Sequence, residues 1–128
     1  MSWFYRGKEV TDEDLEGHVA FVYLITSLID GRKYIGKKRL QKVRTKVLKG
    51  RKRKVKSESE WRSYYGSNKV LVAEVEEHGG ENFKREILHL CKTKGMSNYL
   101  EAKEQILYGV LESEKFYNDQ IMVRVHRS

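Results

Sequence analysis

Tyr23 and Tyr34 stand eleven residues apart, on either side of Asp30-Gly31. Lys37 and Lys38 follow the second tyrosine at once. Much later come Glu101 and Glu104, and then Tyr117-Asn118. Phenols, cations and carboxylates are the groups from which proton transfer at a charged ligand is built. A cation beside a phenol favours the phenolate and so lowers its pKa.

These residues need elements to bring them together. Residues 19–26 (VAFVYLIT) form a short apolar run rich in β-branched and aromatic residues, which predicts a buried strand. Asp30-Gly31 is a strong hairpin dipeptide, and residues 32–37 (RKYIGK) read as the return strand. Leu40, Val43, Val47 and Leu48 recur at helical spacing, so residues 38–56 are expected to be a basic helix passing into a loop after Gly50. Ser67 is placed to cap a helix ending near His78, with Val70, Leu71 and Val75 inward, stopped by Gly79-Gly80. Residues 83–91 predict a third strand. Asn98 and Glu101 have the spacing of a capping box, opening a helix to about Leu111 with Leu100, Ile106, Leu107, Val110 and Leu111 on its core face. Residues 116–125 close the chain as an edge strand or loop, and residues 1–17 form an N-terminal arm that Trp3, Phe4 and Tyr5 anchor. The expected fold is a single small domain over residues 1–128. It is α/β in the α+β sense, with a three-stranded, mostly antiparallel sheet flanked by helices.

Charge gives the second line of argument. The 128 residues carry 26 basic and 18 acidic side chains, a net of +8. Residues 32–56 hold 14 of the basic residues and no acidic one, so the rest of the chain is net acidic. So local an excess of cations calls for a polyanionic partner. The one cysteine, Cys91, excludes an intramolecular disulfide and a Cys-rich zinc site, and is expected to be a small buried residue. No apolar run approaches the roughly 18–20 residues of a membrane span, and no secretory signal is evident. An intracellular protein is expected, with no membrane partner.

Two other chemistries can be set aside. Residues 31–38 nearly match a phosphate-binding loop, but Lys38 stands where the magnesium-binding hydroxyl belongs and the interior is strand-like. His18, His78, His89 and His126 include no helical i, i+4 pair for zinc.

Taken in order, these features resemble the GIY-YIG nuclease family. Tyr34-Ile35-Gly36 matches its second motif in full. Phe21-Val22-Tyr23 keeps the tyrosine of the first motif but has Phe21 where the family has glycine. Residues 61–68 (WRSYYGSN) and 81–86 (ENFKRE) resemble small phage-encoded relatives, including homing-endonuclease-like proteins. The likeness covers about residues 19–120.

The resemblance implies a metal-dependent DNA endonuclease, in the host cytoplasm if phage-encoded, with Mg2+ or Mn2+ as cofactor. Tyr23 would be the general base, its pKa held down by cations such as Lys37 or Lys38, while Tyr34 positions water or phosphate. Arg44, ten residues after Tyr34, would clamp the phosphate from a helix, with Arg39, Arg51, Arg53 and Arg62 as rivals. The histidine often found one turn after that arginine is replaced by Leu48. Glu101 would hold the metal, with Glu104 as its rival, and Asn118 would support the site. Lys38, Arg39, Lys42, Arg51, Lys52, Arg53 and Lys54 would bind DNA phosphates. Trp61, Tyr64 and Tyr65 offer rings for base stacking, although core packing is the better account of Trp61. Phe21 and the missing histidine motivate the alternative, a catalytically inactive DNA- or RNA-binding protein on the same basic surface. Pairing of two copies on DNA stays open.

Overall fold

The computed structural model describes residues 2–122. The last part of the expected closing segment, 123–125, and His126 lie outside the described residues. Seven strands and three α-helices are seen: β1 (Trp3–Tyr5), β2 (Lys8–Glu9), α1 (Asp12–Leu15), β3 (Ala20–Ser27), β4 (Lys33–Arg39), β5 (Gln41–Leu48), β6 (Arg51–Glu58), α2 (Lys69–His78), β7 (Phe83–Cys91) and α3 (Lys94–Leu107). The class is α+β, as expected, but the main sheet is mixed and has five strands, in the order β2-β1-β7-β3-β4. The extra strands come from the supposed arm. β1 pairs parallel to β7, Trp3 beside Arg85, and β2 folds back on it.

The centre of the sheet is β3, antiparallel to β4 on one side and to β7 on the other. Alternation along β3 feeds two cores. Phe21, Tyr23 and Ile25 point to the face covered by Trp3, Trp61 and Leu71. Ala20, Val22 and Leu24 point to the opposite face, with Ile35, Cys91 and Val110. Cys91 is buried there as a small apolar residue. The pairing of β3 with β7 shifts register between Val22 and Tyr23. This irregularity re-aims the chain beside the first tyrosine.

Residues 41–58 correct the expected helix and loop. They form a two-stranded ribbon, β5 against β6, separate from the main sheet. Lys49 and Gly50 make its tip, both at positive φ, as a two-residue hairpin turn requires. Val43, Thr45 and Val47 also recur with period two, and Val43 and Val47 are exposed, so no core contact rewards the helical period. The near-match to a phosphate-binding loop lies mostly on β4, which excludes a flexible phosphate cradle.

Both long helices begin away from the expected caps. Asn68, not Ser67, caps α2, its side chain accepting from the amides of Val70 and Leu71 at 3.0 Å. Val70 is exposed. Thr93 caps α3, so Asn98 and Glu101 lie inside the helix rather than in a capping box. Ile106, Leu107 and Leu111 are exposed, and α3 buries Ser97, Ala102 and Gln105 instead. No helix among the described residues is long and apolar enough to cross a membrane.

Candidate active site

The strand β4 is an edge of the main sheet, and a cleft of about 860 Å³ runs along it. Side chains of successive β4 residues point to opposite faces, so the cleft takes groups from both. Tyr34 and Gly36 face the aromatic core with Tyr23, while Ile35 faces α3. The cleft is lined on one side by Tyr23, Tyr34, Ser67 and Lys69, and on the other by Lys37, Asn98, Glu101 and Gln105. Asn98, Glu101 and Gln105 share one face of α3, at i, i+3 and i+7.

The two tyrosines are diagonal neighbours, because Tyr23 pairs with Gly36 and Tyr34 with Ile25. Their rings lie 6.1 Å apart. Gly36 has no side chain for a physical reason: a Cβ there would sit 2.4 Å from Tyr23 Oη and 3.0 Å from Tyr34 Cε2. The last residue of Tyr34-Ile35-Gly36 thus makes room for the first tyrosine.

The environment shifts both phenols the opposite way from the expectation. Tyr23 is 1% exposed, and burial raises its pKa well above the ordinary value, with Tyr64, Tyr34 and Glu101 adding to the effect. Tyr34 is half-buried and its pKa is also raised, by burial first, against a lowering hydrogen bond with Ser67 Oγ at 3.1 Å. Lys37 points to the far side of the strand and Lys38 is held by Glu60, and neither overcomes the cost of placing a phenolate in the aromatic core. Lys38 lies over the Tyr64 ring, 4.3 Å from its centroid, and pairs with Glu60.

Arg85 organises this aromatic wall. Its guanidinium is buried over Trp3 and Tyr65, and it donates to the carbonyls of Arg62 and Tyr64 at 3.0 Å. Trp61 is buried, and Tyr64 and Tyr65 pack against the core, so these rings are wall rather than base-stacking platform.

Glu101 lies in the cleft, and Glu104 does not. Glu104 Oε1 accepts from His89 Nε2, 2.9 Å away, on the sheet side of α3. Burial raises the pKa of Glu101, while Lys37, 3.8 Å away, opposes the shift. Lys37 also donates to Asn98 Oδ1. Asn118 is buried and acts on the strand itself. It accepts from the Ile35 amide at 3.0 Å and donates to the Ile35 carbonyl at 2.8 Å. These are outward backbone groups of an edge strand, and the amide depends on Asn118 for its bond. Gln105 donates to the same carbonyl at 3.0 Å.

Arg44 is not in the cleft. It stands exposed on β5 instead of on a helix, and Arg51 and Arg53 lie on β6. Arg39 is exposed at the end of β4, and Arg62 pairs with Asp12 and Glu58. No arginine is among the described residues that line the cleft; its cations are Lys37, Lys69 and Lys94. Lys69 and Lys94 were missed by sequence reasoning. Their signal was position, one in the first turn of each helix that borders the cleft.

The donors suit a hard divalent cation. Glu101 is a half-buried carboxylate whose charge burial disfavours, and Gln105 Oε1 is buried without a hydrogen-bond partner among the described groups. Both are oxygen ligands of the kind Mg2+ and Mn2+ take. Among the described residues no cluster of three His, Cys, Asp or Glu side chains is present, so a cation here would keep water and ligand oxygens in its shell.

Comparison with known proteins places this geometry in a family. Residues 3–121 match the family described as "Putative endonuclease segE, GIY-YIG domain". The Enterobacteria phage T4 protein of that name is 31% identical over 98 residues, which cover 77% of this chain and 39% of the phage protein. The chain therefore spans about two-fifths of the length of that relative. No solved structure matches significantly. With a match over nearly the whole chain, and a tyrosine pair across the β3–β4 hairpin facing a helix-borne glutamate, the chain belongs to the GIY-YIG family.

Proposed function

We propose that the protein is a metal-dependent endonuclease that hydrolyses phosphodiester bonds of DNA in the cleft along β4. One observation carries the reading: Tyr34, three lysines and Glu101 line a single cleft beside a ribbon of cations. Tyr34, half-exposed beside Ser67, takes the proton of the attacking water in its phenolate form, and buried Tyr23 holds the Tyr34 ring in place. Lys69 and Lys94 hold the scissile phosphate as point charges where an arginine fork was expected. Lys37 screens Glu101 and keeps it ionised. Glu101 holds the divalent cation, with Gln105 Oε1 beside it on the same helix face. When bound, that cation stabilises negative charge on the phosphate and the leaving oxygen. The water oxygen bonds to phosphorus, the bond from phosphorus to a sugar oxygen breaks, and that oxygen leaves as a hydroxyl with a proton taken from solvent.

The test is supercoiled plasmid incubated with Mg2+, Mn2+ or EDTA, using the wild type, Glu101→Ala and Tyr34→Phe. Metal-dependent nicking that both substitutions abolish supports the reading. Tight plasmid binding with no nicking under either metal sinks it. That outcome would favour a nucleic-acid-binding protein without cutting, a second reading motivated by the lysine-only cleft and the raised tyrosine pKa values.

A further inference from the structure

The register of the β5–β6 ribbon sorts its cations by kind. Cross-strand partners share a face. One face carries Lys42 with Ser57, Arg44 with Val55, and Lys46 with Arg53, and alternation along β6 puts Arg51 there too. The other carries Val43 with Lys56, Thr45 with Lys54, and Val47 with Lys52. All three arginines of the ribbon therefore lie on the first face, and Lys52, Lys54 and Lys56 on the second.

The base of the ribbon borders two cavities, Val43 with Lys42 and Arg44 on one and Ser57 with Lys56 on the other. Lys42 and Arg44 line a cavity of about 520 Å³ together with Lys37, Lys94 and Asn98, which belong to the catalytic cleft. Lys56 lines a separate cavity with Asp12, Glu58 and Arg62, beside the N-terminal segment. The root of the ribbon is held at a set angle. Glu60 pairs with both Lys38 and Lys42, and the Ser59 amide donates to the Leu40 carbonyl at 2.9 Å.

We propose that the ribbon enters the major groove of duplex DNA and that its arginine face reads guanines there, while the lysine face only neutralises phosphates. The dimensions agree. Strands of eight residues extend about 26 Å. The major groove, about 12 Å wide, admits a two-stranded ribbon. The chemistry agrees as well. A guanidinium forks onto guanine O6 and N7, whereas an ammonium acts as a point charge. The proposal takes only the class of ligand, DNA, from the nuclease reading.

The test is therefore made by binding alone, with the full chain in EDTA. A pool of random-sequence duplexes is bound at fixed salt, and the retained fraction is sequenced. The wild type should enrich guanine at two or three positions. Arg44→Lys/Arg51→Lys/Arg53→Lys keeps the charge and removes the fork. It should flatten that enrichment by about tenfold while leaving affinity for an unselected duplex within about threefold. Lys52→Gln/Lys54→Gln/Lys56→Gln should keep the enrichment and reduce the log–log salt slope by about 2–3. Methylation of guanine N7 at the enriched positions should block selective binding. No enrichment by the wild type, enrichment that survives the arginine replacement, or enrichment erased by the lysine replacement would each overturn the proposal. Plasmid nicking is scored separately: selective binding without nicking would overturn the nuclease reading and leave this one standing.

Discussion

Tyr23 is 1% exposed and packs its ring against Trp3, Phe21, Tyr34 and Tyr64. Tyr34 keeps an edge in the cleft beside Ser67. A raised phenol pKa means that the phenolate is a minor species at neutral pH and grows as pH rises towards that pKa. If Tyr34 accepts the proton of the attacking water, log kcat should climb with pH at unit slope and show no plateau below pH 10. Tyr34→Phe should remove that slope and lower kcat by about 10²–10⁴-fold. A flat wild-type profile would show Tyr34 acting as a neutral donor instead. Gly36 supplies a second test at this scale. Gly36→Ala should cost about 1–3 kcal/mol of stability, because the new methyl meets Tyr23 Oη at 2.4 Å. Tyr23→Phe removes that oxygen, so the double mutant should recover part of the loss; denaturant midpoints of the four proteins would show additivity if the two residues were independent.

Among the elements, the edge strand β4 is held by the chain that follows α3. The Lys33 amide donates to the Lys115 carbonyl, the Tyr117 amide donates to the Lys33 carbonyl, and Asn118 satisfies both backbone groups of Ile35. Asn118→Ala would leave a buried Ile35 amide unpaired, at a cost of about 1–3 kcal/mol. Urea unfolding should show that loss, together with faster amide exchange along β4; an unchanged midpoint would show that Asn118 does not hold the strand. Much of this scaffold was legible in the sequence. The run 19–26, the Asp30-Gly31 turn and the Tyr34-Ile35-Gly36 return strand gave the hairpin, and residues 83–91 gave its partner. The ribbon was not legible, because Val43 and Val47 fit a helical period as well as alternation, and Leu40, three residues before Val43, fits only the helix. Its Lys49-Gly50 tip also lacks the Asn or Asp that usually marks such a turn. The strand β1 was missed for a different reason. Three residues carry no period, and its partner β7 is about eighty residues away. Arg44 stands outside the cleft because counting ten residues from Tyr34 assumes a helix, and a strand carries the same residue elsewhere.

Taken whole, the protein sets a block of cations on the ribbon, beside the cleft rather than in it. Residues 43–56 hold eight basic and no acidic residues, a number equal to the net charge of the entire chain. None of the described side chains in that stretch is buried, and Lys42 and Ser57 already face each other across the base of the ribbon. Removing residues 43–56 and joining Lys42 to Ser57 through an Asn-Gly turn should therefore leave the core intact, with a thermal midpoint within a few degrees of the wild type. The remaining chain has no net charge, so duplex affinity at low salt should fall by at least about 10²-fold and lose most of its salt dependence. The cleft keeps Tyr34, Lys69, Lys94 and Glu101. On a short duplex the shortened protein should then show a much higher KM with kcat within about tenfold of the wild type, the signature of lost ground-state binding. A collapse of kcat at saturating substrate would mean that the ribbon completes the catalytic site as well as holding the DNA.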